Sequence, residues 1–208
     1  MSFDLALHVF QSPQFQGLID DAVVFFASTP PHPLPPPMRF VGTGVYALYY
    51  TGEFELYARL AIQNRTACTQ PIYVGKAVPS GWRRARIRDS DSAALHQRLQ
   101  EHARSIRQAS TLQLEDFRCK FTILSGVESD LVVPVEAELI RRCRPLWNSG
   151  VDGFGNHDPG SGRYNQARSD WDVLHPGRPW TERLTGKSPL QEDVEDRVRQ
   201  FLEGSDSP

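Results

Sequence analysis

Gly44-Val45-Tyr46-Ala47-Leu48-Tyr49-Tyr50 and Pro71-Ile72-Tyr73-Val74-Gly75-Lys76 are short runs of β-branched, aromatic and small apolar residues, each with a tyrosine inside it. Residue type and length predict one strand over 45–50 and a second over 72–74. The connection between them is too long for a tight hairpin. Within it, Phe54, Leu56, Tyr57, Leu60, Ala61 and Ile62 predict an inserted helix or structured loop. The second run passes through Lys76 and the turn at Pro79-Ser80-Gly81 into Trp82-Arg83-Arg84-Ala85-Arg86-Ile87-Arg88. Tyrosines near the ends of paired strands, followed by clustered positive charge, point to a site that handles phosphate.

Downstream, Leu95, Leu99, Ala103 and Ile106 form the apolar stripe of a helix predicted over 92–108. His102 falls on that stripe and Arg98 lies on its edge one turn earlier, at the border of core and solvent. A histidine there is either a satisfied structural residue or part of a site wall. Phe-Arg-Cys-Lys-Phe-Thr-Ile-Leu over 117–124 alternates apolar with polar and reads as a third strand. Pro134 then suits the first turn of a helix over 135–143. On that helix Glu136 shares a face with Leu139, Ile140 and Cys143, while Glu138 points the opposite way. A carboxylate among apolar groups needs a cationic partner or a bound cation, and both readings of Glu136 stand.

Upstream, Leu18, Ile19, Ala22, Val23 and Phe26 mark an amphipathic helix over 15–26. It is followed by Pro30-Pro31-His32-Pro33-Leu34-Pro35-Pro36-Pro37, an extended, stiff segment. That segment reads as a strap onto the main domain, with an SH3-type ligand as the rival. After Asn148, the stretch 150–162 carries Gly150, Gly153, Gly155, Gly160 and Gly162 around Asn156 and His157, and is either a functional or a flexible loop. A packed irregular region follows between Trp171 and Trp180, and a final helix is predicted over 190–202. The resulting division is 1–40 as helix and strap, 41–150 as core with an insertion at about 53–70, and 151–208 as a C-terminal extension, all in one structural domain.

Composition narrows the classes. With 23 Lys+Arg against 25 Asp+Glu the net charge is −2, so no global basic bias announces a nucleic-acid partner. The distribution is more telling, because Lys76, Arg83, Arg84, Arg86, Arg88, Arg98, Arg104 and Arg107 face only Asp89, Asp91 and Glu101. This is either an anion-binding groove or a solvated helix face. Three cysteines without CxxC spacing argue against zinc and disulfides and for a reduced setting. No signal pattern and no apolar run near the ~20 residues of a membrane span is seen, so the expectation is a cytoplasmic protein with no membrane partner.

Taken in order, Val45-Tyr46, Tyr73-Val74-Gly75-Lys76, Arg98, Glu136 and Asn148 in Pro145-Leu146-Trp147-Asn148 resemble the GIY-YIG nuclease family, with valine for isoleucine in both signature tripeptides. Val151-Asp152-Gly153-Phe154-Gly155-Asn156-His157 and Ser169-Asp170-Trp171-Asp172-Val173 resemble, more narrowly, the GIY-YIG type II restriction enzymes that cut the palindrome CCGCGG. The resemblance implies an α+β fold with a small central mixed or antiparallel sheet of about three strands flanked by helices. It also implies a double-stranded DNA substrate, a homodimer matched to the palindrome, and a cognate DNA methyltransferase in the same system.

On that resemblance Glu136 holds one divalent cation, Mg²⁺ with Mn²⁺ as a substitute, and Arg98 meets the phosphate oxygens. Tyr46 and Tyr73 position and deprotonate water, with Tyr46 as the base and Lys76 or His102 assisting, and Asn148 anchors the geometry. Base reading and DNA contact fall to Arg59 and Arg65 of the insertion, to Arg83, Arg84, Arg86 and Arg88, or to Asn156, His157 and Arg163 of the glycine-rich loop. The rival readings are a GIY-YIG repair or structure-specific nuclease, and a DNA-binding module that has lost cleavage.

Overall fold

A computed structural model describes residues 3–79 and 92–204. Among the described residues four strands form one antiparallel sheet in the order β1 (His32–Pro33), β4 (Phe117–Ile123), β2 (Gly44–Tyr50), β3 (Tyr73–Ala77). The first tyrosine run is thus a central strand, and all seven of its residues are buried. Burial on both faces explains why that run is apolar throughout instead of alternating. The expected count of about three strands is one short. The extra strand, β1, is only two residues long and comes from the proline-rich segment, which carries no strand signal; it pairs His32 with Cys119 at the far edge.

Register sorts the tyrosines. Tyr46 lies opposite Gly75 and Leu48 opposite Tyr73, so Tyr46, Leu48, Tyr50 and Tyr73 share one face. Val45, Ala47, Tyr49, Val74 and Lys76 point to the other. The second face is covered by α1 (Pro13–Ser28) and α4 (Val132–Cys143), through Ile19, Val23, Phe26, Val132, Val135 and Leu139. α4 starts three residues before the position expected from Pro134. A proline still fits in its first turn, where amide groups have no partner within the helix.

The tyrosine face is covered by α3 (Ala94–Gln108), which buries Leu95, Leu99, His102, Ala103 and Ile106 on the expected stripe. The insertion is helical as read: a 3₁₀ turn at Glu55–Tyr57 leads into α2 (Ala58–Thr66). Asn64 closes it, its amide nitrogen donating to the carbonyls of Tyr50 and Gln70 at 3.2 and 2.8 Å and its oxygen accepting from the Thr69 and Gln70 amides. Short helix α5 (Leu146–Ser149), α6 (Asp170–Leu174) and α7 (Gln191–Gly204) complete the same core with Trp147, Trp171, Leu174, Val194, Val198 and Leu202.

A buried polar chain ties the insertion to this C-terminal part. The Tyr57 hydroxyl lies 2.6 Å from His175 Nε2, Thr111 Oγ1 lies 2.6 Å from His175 Nδ1, and Trp147 Nε1 donates to Tyr57 at 3.1 Å. Burial pushes the His175 pKa down to about 3, against about 6.5 in an unfolded chain. Between those values the unfolded chain binds a proton that the folded chain refuses, so this stability is complete above about pH 6.5 and is lost as pH falls. The urea midpoint is therefore expected to drop steadily from pH 7 to pH 4. A midpoint flat across that range would show that the fold tolerates a protonated His175.

Candidate active site

Tyr46 is completely buried, and its hydroxyl lies 2.6 Å from His102 Nε2. Gly75 makes this possible, because a Cβ at that position would lie 2.4 Å from the Tyr46 hydroxyl. Burial holds the Tyr46 pKa well above its ordinary value; neighbouring Tyr73 adds to the rise and Arg98 opposes it. Burial likewise drives His102 well below its ordinary pKa, with the positive charges of Arg98 and Arg178 pushing the same way. At neutral pH the pair is a phenol beside a neutral imidazole. Tyr73 is half-buried at the rim, and burial also raises its pKa, with Arg98 again opposing.

Arg98 is pinned from two sides. Its Nη1 donates to Glu101 Oε2 at 2.8 Å and to His157 Nε2 at 2.7 Å, and its Nη2 donates to the Gly155 carbonyl at 3.3 Å. At Gly155 the loop presses close on the site, since a Cβ there would sit 3.0 Å from the Tyr73 hydroxyl. Phe154 stacks on His102 at 4.6 Å and meets Tyr73 edge-on at 4.9 Å.

Glu136 and Lys76 reach the site from the other face, around edge strand β3. They form an ion pair, with the carboxylate side chain 15% exposed. Of the two readings left open for Glu136, the structure shows the cationic partner, and it brings Lys76 to Glu136 and not to Tyr46. Glu138 pairs instead with Arg141 and Arg142. Asn148 clamps β3, its Oδ1 accepting from the Val74 amide at 2.8 Å and its Nδ2 donating to the Val74 carbonyl at 2.9 Å.

A family model described as the Eco29kI GIY-YIG domain matches residues 38–202. The chain belongs to this GIY-YIG family. No curated protein matches it. Membership makes it a nuclease-type domain acting on DNA, in a family whose nucleases typically use divalent metals. No helix among the described residues is long and apolar enough to cross a membrane.

For this GIY-YIG chain Glu136 is the carboxylate whose fit to a divalent cation bears on the resemblance. Among the described residues no group of three or more His, Cys, Asp or Glu stands ready to hold an ion. A lone hard oxygen donor suits a divalent cation that takes its other ligands from water and phosphate. Lys76 contacts only Oε2 of Glu136, which leaves Oε1 for such an ion.

The DNA-contact candidates divide. Arg83, Arg84, Arg86 and Arg88 lie outside the described residues. Arg59 donates to the Leu202 carbonyl at 3.0 Å, and Arg65 donates to the Thr51 and Gly52 carbonyls at 3.2 and 3.1 Å. Asn156 and His157 line two adjoining clefts of about 210 and 340 Å³; the first reaches Arg98 and His102, and Arg163 lies on the wall of the second.

Sequence reasoning passed over Phe154, Gly155 and Arg178 as individuals. Arg178 is buried between Trp171 and Trp180, at 4.6 and 4.8 Å from their rings, in a region read only as packed. The glycines flanking Phe154 were the available signal, since a small–aromatic–small run suits close approach to another surface.

Gly75→Ala is expected to displace the Tyr46 hydroxyl from His102, to destabilise the fold by about 1–3 kcal/mol and to slow DNA cleavage. Gly17→Ala serves as the control, because its Cβ would meet nothing within 4 Å. Urea unfolding and plasmid cleavage measured side by side check this, and a Gly75→Ala protein as active as the control would refute it.

Proposed function

We propose that the chain is a type II restriction endonuclease that hydrolyses double-stranded DNA at a G·C-rich palindrome, CCGCGG. The observation carrying this is the convergence of Tyr46, Tyr73, Arg98 and His102 on one sheet face with Glu136 reaching around edge strand β3, in a chain matched by the Eco29kI GIY-YIG domain. A palindromic target calls for two copies related by a two-fold axis, so the working unit is a homodimer. A methyltransferase of the same specificity would protect the host.

In this reading Glu136 would hold one Mg²⁺, with Mn²⁺ as a substitute, and the ion would supply charge neutralisation for phosphodiester cleavage. Water enters past half-buried Tyr73, whose hydroxyl orients it. Tyr46 takes the water proton while passing its own to His102 Nε2, which requires the ring proton on Nδ1. Such a relay replaces a free phenolate, which burial makes costly at neutral pH, with a transient imidazolium that burial also opposes, so the proton must pass onward from His102. Arg98 donates to the non-bridging oxygens as negative charge grows on the pentavalent phosphorus. Asn148 fixes β3, and with it Tyr73.

A plasmid carrying CCGCGG should yield sharp fragments in Mg²⁺, and Glu136→Ala should abolish them while duplex binding persists. Wild-type cutting by that variant would remove Glu136 from the metal site, whereas nicks or junction cutting in place of fragments would replace the restriction reading. Tyr46→Phe deletes only the relaying hydroxyl and should slow single-turnover cleavage by roughly 10²–10⁴-fold; near-normal turnover would exclude the relay.

A further inference from the structure

We propose that His157 is a positioning residue for Arg98, delivered by a loop that buried Arg178 holds in shape. The inference rests on the reading of Arg98 as the phosphate-contacting group. An arginine side chain left to itself samples many rotamers, and a phosphate-directed guanidinium benefits from being fixed in advance. Glu101 lies on the same helix and draws Arg98 only along it. His157 Nε2 at 2.7 Å and the Gly155 carbonyl come from the opposite wall, so together they set the direction of the fork. An imidazole acting as acceptor is uncharged, so it orients the guanidinium and leaves the positive charge for phosphate, which a second carboxylate would not do.

The loop that brings His157 is heavily built for a surface segment. Arg178 is 1% exposed; its Nε donates to Asp172 Oδ1 at 2.6 Å, and its remaining nitrogens donate to the carbonyls of Gly153, Phe154 and Asn156 at 3.0–3.2 Å. Asp172 is in turn held by the Ser169 hydroxyl at 2.7 Å. Gly153 has φ +97° and no room for a Cβ, which would lie 1.9 Å from Ser169 Oγ. His157 itself is exposed, so burial gives no reason for its placement, and its hydrogen-bond contact is Arg98.

The test uses the full chain and a plasmid carrying CCGCGG. Because His157 is exposed, His157→Ala should fold normally and should lower the single-turnover cleavage rate by roughly ten- to a hundredfold, with duplex affinity unchanged. His157→Gln, whose side-chain oxygen reaches nearly the place of Nε2, should restore most of the rate, and the shorter His157→Asn should not. Unchanged cleavage by His157→Ala, equal loss in the Gln variant, or a loss expressed in duplex affinity would each overturn the proposal, the last in favour of direct DNA contact. Arg98→Ala run in parallel separates the two levels. If it cleaves normally, the underlying reading of Arg98 fails; if it is inactive while His157→Ala is normal, only the positioning role fails.

Discussion

A hydroxyl 2.6 Å from an imidazole nitrogen, shut away from water on one face of a four-stranded sheet, sets conditions that the surrounding residues satisfy one by one. Tyr46 must come from a strand buried on both sides, which makes β2 apolar along its whole length. His102 must sit on the buried stripe of a helix that also buries Leu95, Leu99, Ala103 and Ile106. The neighbouring strand must offer a glycine opposite Tyr46, and the C-terminal part must supply a flat ring to cover the imidazole, which Phe154 does. The same seclusion keeps both groups uncharged, since burial opposes the phenolate and the imidazolium alike.

Much of this was legible in the chain. Strand character at 44–50 and the stripe of α3 follow from periodicity, and the ordered tyrosines, Arg98, Glu136 and Asn148 carry the resemblance to the family that the matched domain bears out. The expected contrast between Glu136 and Glu138 does not appear, their side chains being 15% and 11% exposed. What periodicity could not give is contact across long separations. That Lys76 would meet Glu136 depends on both wrapping the same sheet edge from one face, which only register and helix placement decide. β1 was invisible because two residues in a proline-rich stretch leave no alternation to detect. Arg178 fell inside a stretch read only as packed, because its role is decided by two tryptophans and an aspartate that close on it only in the fold.

Net charge says little about a site like this one. The chain is slightly acidic overall, yet Arg98, Arg104, His157 and Arg178 gather around one cleft beside the buried pair. Besides burial, Arg98 and Arg178 lower the proton affinity of His102, so the polarity that would attract a phosphate also tunes the group beside it.

Edge strand β3 carries Tyr73 and Gly75 on one face and Lys76 on the other, and an edge strand normally offers a row of unpaired amides and carbonyls. Here α5 occupies that row. The Trp147 amide donates to the Ile72 carbonyl at 2.8 Å, and the Asn148 side chain engages both polar groups of Val74, as a neighbouring strand would. A carboxamide thus stands in for a strand partner. The sheet is closed to the addition of foreign strands at the very margin where the site must stay open to a much larger polymer, and the clamp leaves free the side chains on both faces of β3.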